Sequence, residues 1–574
     1  MALWISSVRA QSVTVTNALD AGPGSLRQAM LDASADPAPG VITFAPSADG
    51  VITLASPLPD LTTSGGDLTI IGNGAAATVV DGAGTHRPFT AQSAPGLNFT
   101  LRRLTVRNGQ AGGSSLNGGA ILFSGTALTL DGVDLSGNRS ASGTGGAIYA
   151  SAAVTIENSV FAANRANMGG AFEIWDGPLL VRNTTVSGTL GNNTVIVFGG
   201  GANARARLVN ATVSGNQARG IQLRMNATLS ITNSLVAGNG SYDVGVVDSA
   251  AVDLATSFNN VVGVQSGTGL VDGANGNRIG VADALVGALG DHGGMTRTVP
   301  LLPGSPALNA GTATGSDIPA VDQRGLARVG TPDVGALESR GFSLARGGGS
   351  GQSAGVAAPF ADPLEVQLVA NGGDEPVEGG KVVFQGPASG PGVVLASPVA
   401  TIGADGKART AITANAIAGG PYLVTAKAAN GDGSVLATDF SLTNVDGTCA
   451  AFTFPYTLSS VDNAARVAEL RQAIECANAH AGDDAIDLGG HTLTFGTAPY
   501  ADANGINALP VVTSALTLRN GALERQAGAS AFRFLDVAAA GNLTVHRMQL
   551  RNGESGSEGG AIRADGQLLL KASV

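Results

Sequence analysis

A chain of 574 residues with 84 glycines, 44% hydrophobic, 13% charged and only 4% aromatic residues is too long for one compact core and suits stacked turns and short strands better than helices. Its net charge of −11, with no run of Lys or Arg, excludes nucleic acid as an expected partner. No stretch reaches the roughly 18 to 20 continuous apolar residues of a membrane-spanning helix, and the apolar content is too high for disorder.

Residues 1–10, with Val8 and Ala10 placed as a cleavage site requires, look like the tail of a signal peptide whose basic start and apolar core are missing. Ser25-Leu26-Arg27-Gln28-Ala29-Met30 has the S-x-x-Q form of a capping box and predicts a short amphipathic helix. That helix is expected to cover the open end of a coil, whose unpaired backbone groups invite aggregation.

Between Leu101 and Asn239 one phrase recurs, as Leu130 to Asn138, Ile156 to Asn164, Val181 to Gly188, Leu208 to Asn216 and Ile231 to Asn239. Taking Val106, Leu135, Phe161, Val186, Val213 and Val236 as equivalent, the steps are 29, 26, 25, 27 and 23 residues, a solenoid period. Within each phrase apolar residues alternate with a period near two, which predicts short strands. Strands repeating at this interval make a coil in which equivalent Val, Leu, Ile and Phe side chains stack in columns about 4.8 Å apart. Two polar columns are expected beside them, Asp131, Asn158, Asn183, Asn210 and Asn233, and Asn138, Asn164, Asn216 and Asn239, with amides bonding from rung to rung. Glycine pairs at Gly118-Gly119, Gly145-Gly146 and Gly169-Gly170 mark the turns.

Beyond the repeats, residues 341–360 with Gly347-Gly348-Gly349-Ser350-Gly351 read as a flexible linker. Short strands separated by turn signals over residues 361–445 predict a small antiparallel sandwich. Cys449 and Cys476 lack metal-site spacing, which leaves a disulfide, expected if the protein is exported, or two buried thiols. Residues 446–574 begin a second copy of the large unit. Leu26-Arg27-Gln28-Ala29 returns as Leu470-Arg471-Gln472-Ala473 and Arg107-Asn108-Gly109 as Arg551-Asn552-Gly553, both 444 residues on, and Gly118-Gly119-Ala120-Ile121 returns as Gly559-Gly560-Ala561-Ile562. The second copy reaches Val574 where the first has several rungs still to run, so a longer natural chain is expected.

The Gly-Gly-Ala-Ile motifs and Phe161-Ala162-Ala163-Asn164 resemble the GGAI and FxxN repeats of polymorphic outer-membrane-type β-helix surface proteins. Gly24-Ser25-Leu26-Arg27-Gln28-Ala29 is similar to the CSLREA-type opening of exported bacterial proteins, without its Cys and with Gln for Glu. Leu301 to Gly311, Asp322-Gln323-Arg324-Gly325 and Asp333 to Glu338 resemble the choice-of-anchor Q region that closes many such β-helices. Pro376-Val377-Glu378-Gly379 and Tyr422 to Ala426 resemble bacterial Ig-like modules of invasin type. The expected fold is therefore all-β: a right-handed, single-stranded parallel β-helix, pectin-lyase-like, over residues 11–340, an Ig-like β-sandwich, and the start of a second β-helix. The resemblances imply a secreted or cell-surface bacterial protein without fixing an activity.

Enzymes also use this fold, so residues must decide. Asp131 and Asp134 are the best local carboxylate pair, but they read as a solvated turn pair. Arg103, Arg107, Arg547 and Arg551 lack an acidic cluster and read as packed alkyl stems. His86, His292, His480 and His491 lack a recognisable nucleophile or metal partner, and His546 sits where the first copy has Arg102. Asp272 to Asn277 reads as a polar turn rather than a calcium loop. No catalytic, cofactor or metal residue is assigned. The expected function is a non-catalytic adhesin or structural stalk, with glycans or cell-envelope components as partners; the alternative is a polysaccharide lyase or hydrolase.

Overall fold

The computed structural model describes residues 11–574 apart from 36–37, 63–66, 114, 192, 202–203, 316, 431–433, 446–448, 450–451, 481, 503 and 556–558. The signal-peptide reading of residues 1–10 thus falls outside the described residues. The chain divides into two compact units, one of residues up to 343 with 369–381 and 429–436, the other of residues 344–368, 382–428 and 437–574.

In the first unit the repeat winds into a parallel β-helix with three sheets. The first sheet holds ten strands, from Gln11–Val15 to Ala251–Val252, the second ten from Gly50–Thr53 to Arg278–Ile279, and the third eight from Phe89–Ala91 to Gln265–Ser266. The residues taken as equivalent from sequence are register partners, Val106 with Leu135, Leu135 with Phe161, Phe161 with Val186, Val186 with Val213 and Val213 with Val236. All six are buried. Val80 extends this column at one end and Val262 at the other.

Glycine pairs are required twice over at the turns. The first member lies in the left-handed region, with φ of 68° at Gly118, 67° at Gly145 and 62° at Gly169. The second lies where rungs approach most closely: a Cβ on Gly119 would stand 2.2 Å from the Gly146 carbonyl oxygen, and one on Gly146 would stand 1.9 Å from that of Gly170.

Helix α1, Leu26–Ser34, is capped by Ser25, whose side chain accepts from the Gln28 amide. The reciprocal half of the expected box is not made, because Gln28 donates to Asp32 instead. Leu26, Ala29, Met30 and Ala33 enter the core of the coil at its first strands, as a capping helix should.

In the second unit helix α2, Asn463–Ala479, repeats this face with Leu470, Ala473, Ile474 and Ala477 buried. It precedes parallel strands that include Asp483–Asp487, Ala515–Arg525, Asn542–Arg551 and Gln567–Lys571. Cys449 and Cys476 form a disulfide that ties α2 to the segment before it. The same unit contains antiparallel pairings such as Leu364 with Thr410 and Phe384 with Ala426. The glycine-rich stretch read as a linker holds two strands, Phe342–Arg346 and Gln352–Gly355. Glycine content alone misled there, since main-chain pairing, such as Gln352 with Leu442, needs no side chain.

Candidate functional site

The outer column of the second sheet, running in register through Asp134, Val160, Thr185, Thr212, Leu235 and Val261, is buried despite facing away from the core. A strap formed by residues 284–315 and 317–338 lies over it. Leu235, Ala237 and Val261 pack with Ala284, Leu301, Ala307, Leu308 and Val334 in a second apolar cluster outside the coil. Asp134 accepts from Arg297 at 2.8 Å, Thr185 donates to Gln323 at 2.6 Å, and the Ala336 amide donates to Thr212 Oγ1 at 2.9 Å.

Buried ion pairs hold this strap together. Arg324 pairs with Asp322 at 2.9 Å and Glu375 at 3.0 Å, and Arg328 pairs with Glu338 at 3.0 Å, all five side chains at most 4% exposed. Burial, then the neighbouring charge of Glu338, pushes Asp333 up to about 8 against the opposing Asn309 and Ser339 amides and Arg328. Buried charges of this kind persist only when paired and hydrogen-bonded.

The strap also changes the meaning of the first polar column. Asn158, Asn183, Asn210 and Asn233 take φ between 45° and 50°, which asparagine tolerates better than most residues. Asn183 donates to the Val321 carbonyl at 2.9 Å, Asn210 to that of Gly335 at 3.3 Å and Asn233 to that of Thr312 at 2.8 Å. These asparagines anchor the strap more than they bond to one another. Asp131 is not a member: its register partner is Glu157, and Gly132, with φ 66°, occupies the left-handed position. The second column is a rung-to-rung ladder, with Asn138 donating to Asn164 at 3.1 Å and Asn216 to Asn239 at 2.7 Å, broken at Thr189, whose amide donates to Asn216.

The remaining sequence candidates are engaged structurally. Asp131 pairs with Arg102 at 3.1 Å and accepts from Asn158 at 2.9 Å. Asp134 is 7% exposed beneath the strap, so the pair expected to be solvated is half covered, and each carboxylate answers a different cation. Arg107 is more than a packed stem, because its Nε lies 2.7 Å from Asp81. Burial works against that carboxylate, yet Arg107, the Ala83 amide and Asn108 hold it below its usual range. His292 Nδ1 meets the Asp374 carbonyl at 2.6 Å, and His480 Nδ1 lies 2.7 Å from Asp484. Asp272 accepts from the Ile279 amide, and Asn277 bonds with Asn260, closing the polar turn. The side chains of His86, His491 and His546 make no hydrogen bond or ion pair among the described residues, and none of the described His, Cys, Asp and Glu residues form a group of three that could hold a metal ion.

Three features escaped the sequence. On the outer face of the third sheet Tyr149, Glu173, Val197 and Gln222 are in register. Glu173 is 5% exposed and its Oε2 has no hydrogen-bond partner. Burial pushes its carboxyl up, opposed by a hydrogen bond from Thr144 and by Arg224; burial and Glu173 push Tyr149 up in turn. Within Phe172-Glu173-Ile174-Trp175 nothing but alternation was visible. Second, a groove of about 350 Å³ on the outer face of the first sheet is lined by Arg205, Arg207, Ser230, Asp253, Phe258 and Ile318 among others.

Third, Arg139 and Arg165 are register partners on adjacent rungs, in the strands Arg139–Thr144 and Arg165–Met168. Both are exposed, and among the described residues neither has a carboxylate partner. They border a groove of about 260 Å³ that also includes Ser140, Asn167, Gly191 and Asn193. Unscreened by a counter-charge, like charges at rung spacing repel by about 1 kcal/mol even in water.

Residues 90–270 match the family model of the right handed beta helix region. No curated protein and no solved structure shows a significant match to the chain. No helix among the described residues is long and apolar enough to cross a membrane. The matched rungs of the first unit form a parallel β-helix, and the family match falls within them.

Proposed function

We propose that this protein is exported and acts at a bacterial cell surface or in the surrounding medium as a non-catalytic adhesin or stalk, with glycans or cell-envelope components as partners. The observation that carries the reading is the commitment of Asp131 and Asp134 to separate cations, which leaves them as members of the scaffold rather than as convergent acid and base. The Cys449–Cys476 disulfide supports export, since such bonds persist in oxidising compartments. Stacked rungs supply length, and the outward faces of the coil supply contact area.

A second reading, a polysaccharide-active enzyme, is favoured by Glu173, a buried carboxyl beside Tyr149 and Arg224. The two separate in a polymer screen. Purified protein incubated with pectins, alginates and glycosaminoglycans is expected to bind at least one polymer saturably and to release no reducing ends or unsaturated products. Turnover that Glu173→Gln abolishes would replace the adhesin reading with the enzymatic one.

A further inference from the structure

We infer that Asp484 and His480 form a pH-sensitive clasp that holds helix α2 against the first strands of the second coil and lets it loosen as pH rises. The inference concerns the second unit alone and goes beyond the proposed adhesin role. It starts from a carboxylate at a core position. Along the strand Asp483–Asp487 the buried side chains are those of Asp484 and Ile486. Asp484 is in register with Leu516, and Leu516 with Leu543, both of which belong to the core of this coil. A carboxylate wholly shielded from solvent thus heads a column of leucines. In the first unit the matching place, at the same offset of 444 residues, is Gly40, in register with Leu68. A Cβ there would stand 3.1 Å from that of Ala33 on α1, so the first cap closes over a position without a side chain.

Neither oxygen of Asp484 receives a well-aligned hydrogen bond among the described residues. What faces it is His480, whose Nδ1 stands 2.7 Å from Oδ1 while its side chain is 48% exposed. The contact is therefore one of charge, made between a group sealed from water and a group open to it. His480 is also the C-cap of α2, its amide bonded to the Cys476 and Ala477 carbonyls, where the negative end of the helix favours a cation. The Phe454 ring packs 5.5 Å from the imidazole. Other charges nearby are engaged elsewhere or exposed: Asp487 pairs with Arg519, Glu469 accepts from Tyr456, Glu475 accepts from Tyr500, Arg471 donates to the Ala508 carbonyl, and Asp483 is exposed.

With one shared proton the pair is neutral overall, as imidazolium and carboxylate or as imidazole and carboxylic acid. Removing that proton leaves a charge in an apolar column with no counter-charge, which a protein core tolerates poorly. Burial raises the Asp484 carboxyl above its usual range, opposed by His480 and reinforced by Asp483. The unfolded chain releases both protons at their ordinary values, so the folded pair binds the more protons as pH climbs past them. The clasp is thus complete at low pH and lost as pH rises. The Cys449–Cys476 disulfide, one turn before His480, keeps the loosened end tethered.

The test is hydrogen–deuterium exchange of the full chain between pH 5 and pH 9, expressed as protection relative to the unfolded rate at each pH. It is read at the peptide carrying α2, because buried carboxyls of the other unit also make stability fall as pH rises. Protection of α2 in the parent is expected to fall about tenfold or more across that range. Asp484→Leu, which continues the leucine column, should protect α2 at least as well as the parent does at pH 5 and abolish the fall. Asp484→Asn should flatten it as well. His480→Gln keeps the buried carboxyl and loses the cation, so the fall should move to lower pH.

Constant protection of α2 in the parent, a fall that survives in Asp484→Asn and Asp484→Leu, or one that stays at the same pH in His480→Gln would each overturn the inference.

Discussion

Two outward faces of the same coil are treated oppositely. Over the second sheet, charges and amides that point away from the core are covered: Asp134 meets Arg297, Arg328 meets Glu338, and Asn233 meets Thr312. Along the turns that lead to the third sheet, Arg139 and Arg165 are left without a counter-charge on an exposed groove. Polar groups under the strap must be paired because water cannot reach them, whereas those on the groove are solvated at little cost and can exchange water for a ligand. Polar residues repeating at rung spacing thus carry no single meaning; a covering segment decides between scaffold and surface.

The largest effect should come from breaking the covered face. Arg328→Ala leaves Glu338 buried without its cation, and a loss of about 3–5 kcal/mol is expected in urea unfolding. If the strap were peripheral, the variant would unfold at the same urea concentration as the parent.

Next in size is the internal ladder. Asn164→Ala deprives the Leu135 carbonyl and the Asn138 amide of their partner in a fully buried position, which should cost about 1–3 kcal/mol.

A dependence on pH sharpens the same contrast. Between the ordinary aspartate range and about 8 the folded protein holds a proton on Asp333 that the unfolded chain has released. That contribution is complete at low pH and is lost as pH rises through about 8, so the unfolding midpoint should fall from pH 6 to pH 9. Asp333→Asn should flatten this slope, whatever it does to the midpoint itself; an unaltered slope would assign the dependence to Glu173 or Asp243, which burial also pushes up.

The smallest effect belongs to Asp131→Ala. Its partner Arg102 is half exposed, so stability should change by less than about 1 kcal/mol, measurable as a small shift in the same unfolding curves.

The period was legible because each rung meets the next at a nearly constant interval, so stacking demands like residues at like positions. Val106, Leu135, Phe161, Val186, Val213 and Val236 could be aligned from sequence alone for that reason. One slip shows the limit. Asp131 was placed with the asparagines by chemical likeness, while the spacing that aligns Leu135 with Phe161 also puts Asp131 opposite Glu157. The strap was not legible at all: Arg297 reaches Asp134 across 163 residues and Gln323 reaches Thr185 across 138, and neither pairing repeats. The environment of Glu173 was equally hidden, since alternation says which way a side chain points and nothing about what lies over it.

Sequence by itself determined the coil: its period, the inward residues, the turn glycines, the capping helix and the repetition of that opening in α2. These follow from contacts between neighbouring rungs, which a local pattern encodes. Only the tertiary structure decided which outward residues are scaffold and which are surface, which carboxyl oxygen is buried without a partner, and which arginines stand unpaired. Those properties depend on segments that return from far along the chain, and burial by a distant segment leaves no periodic trace.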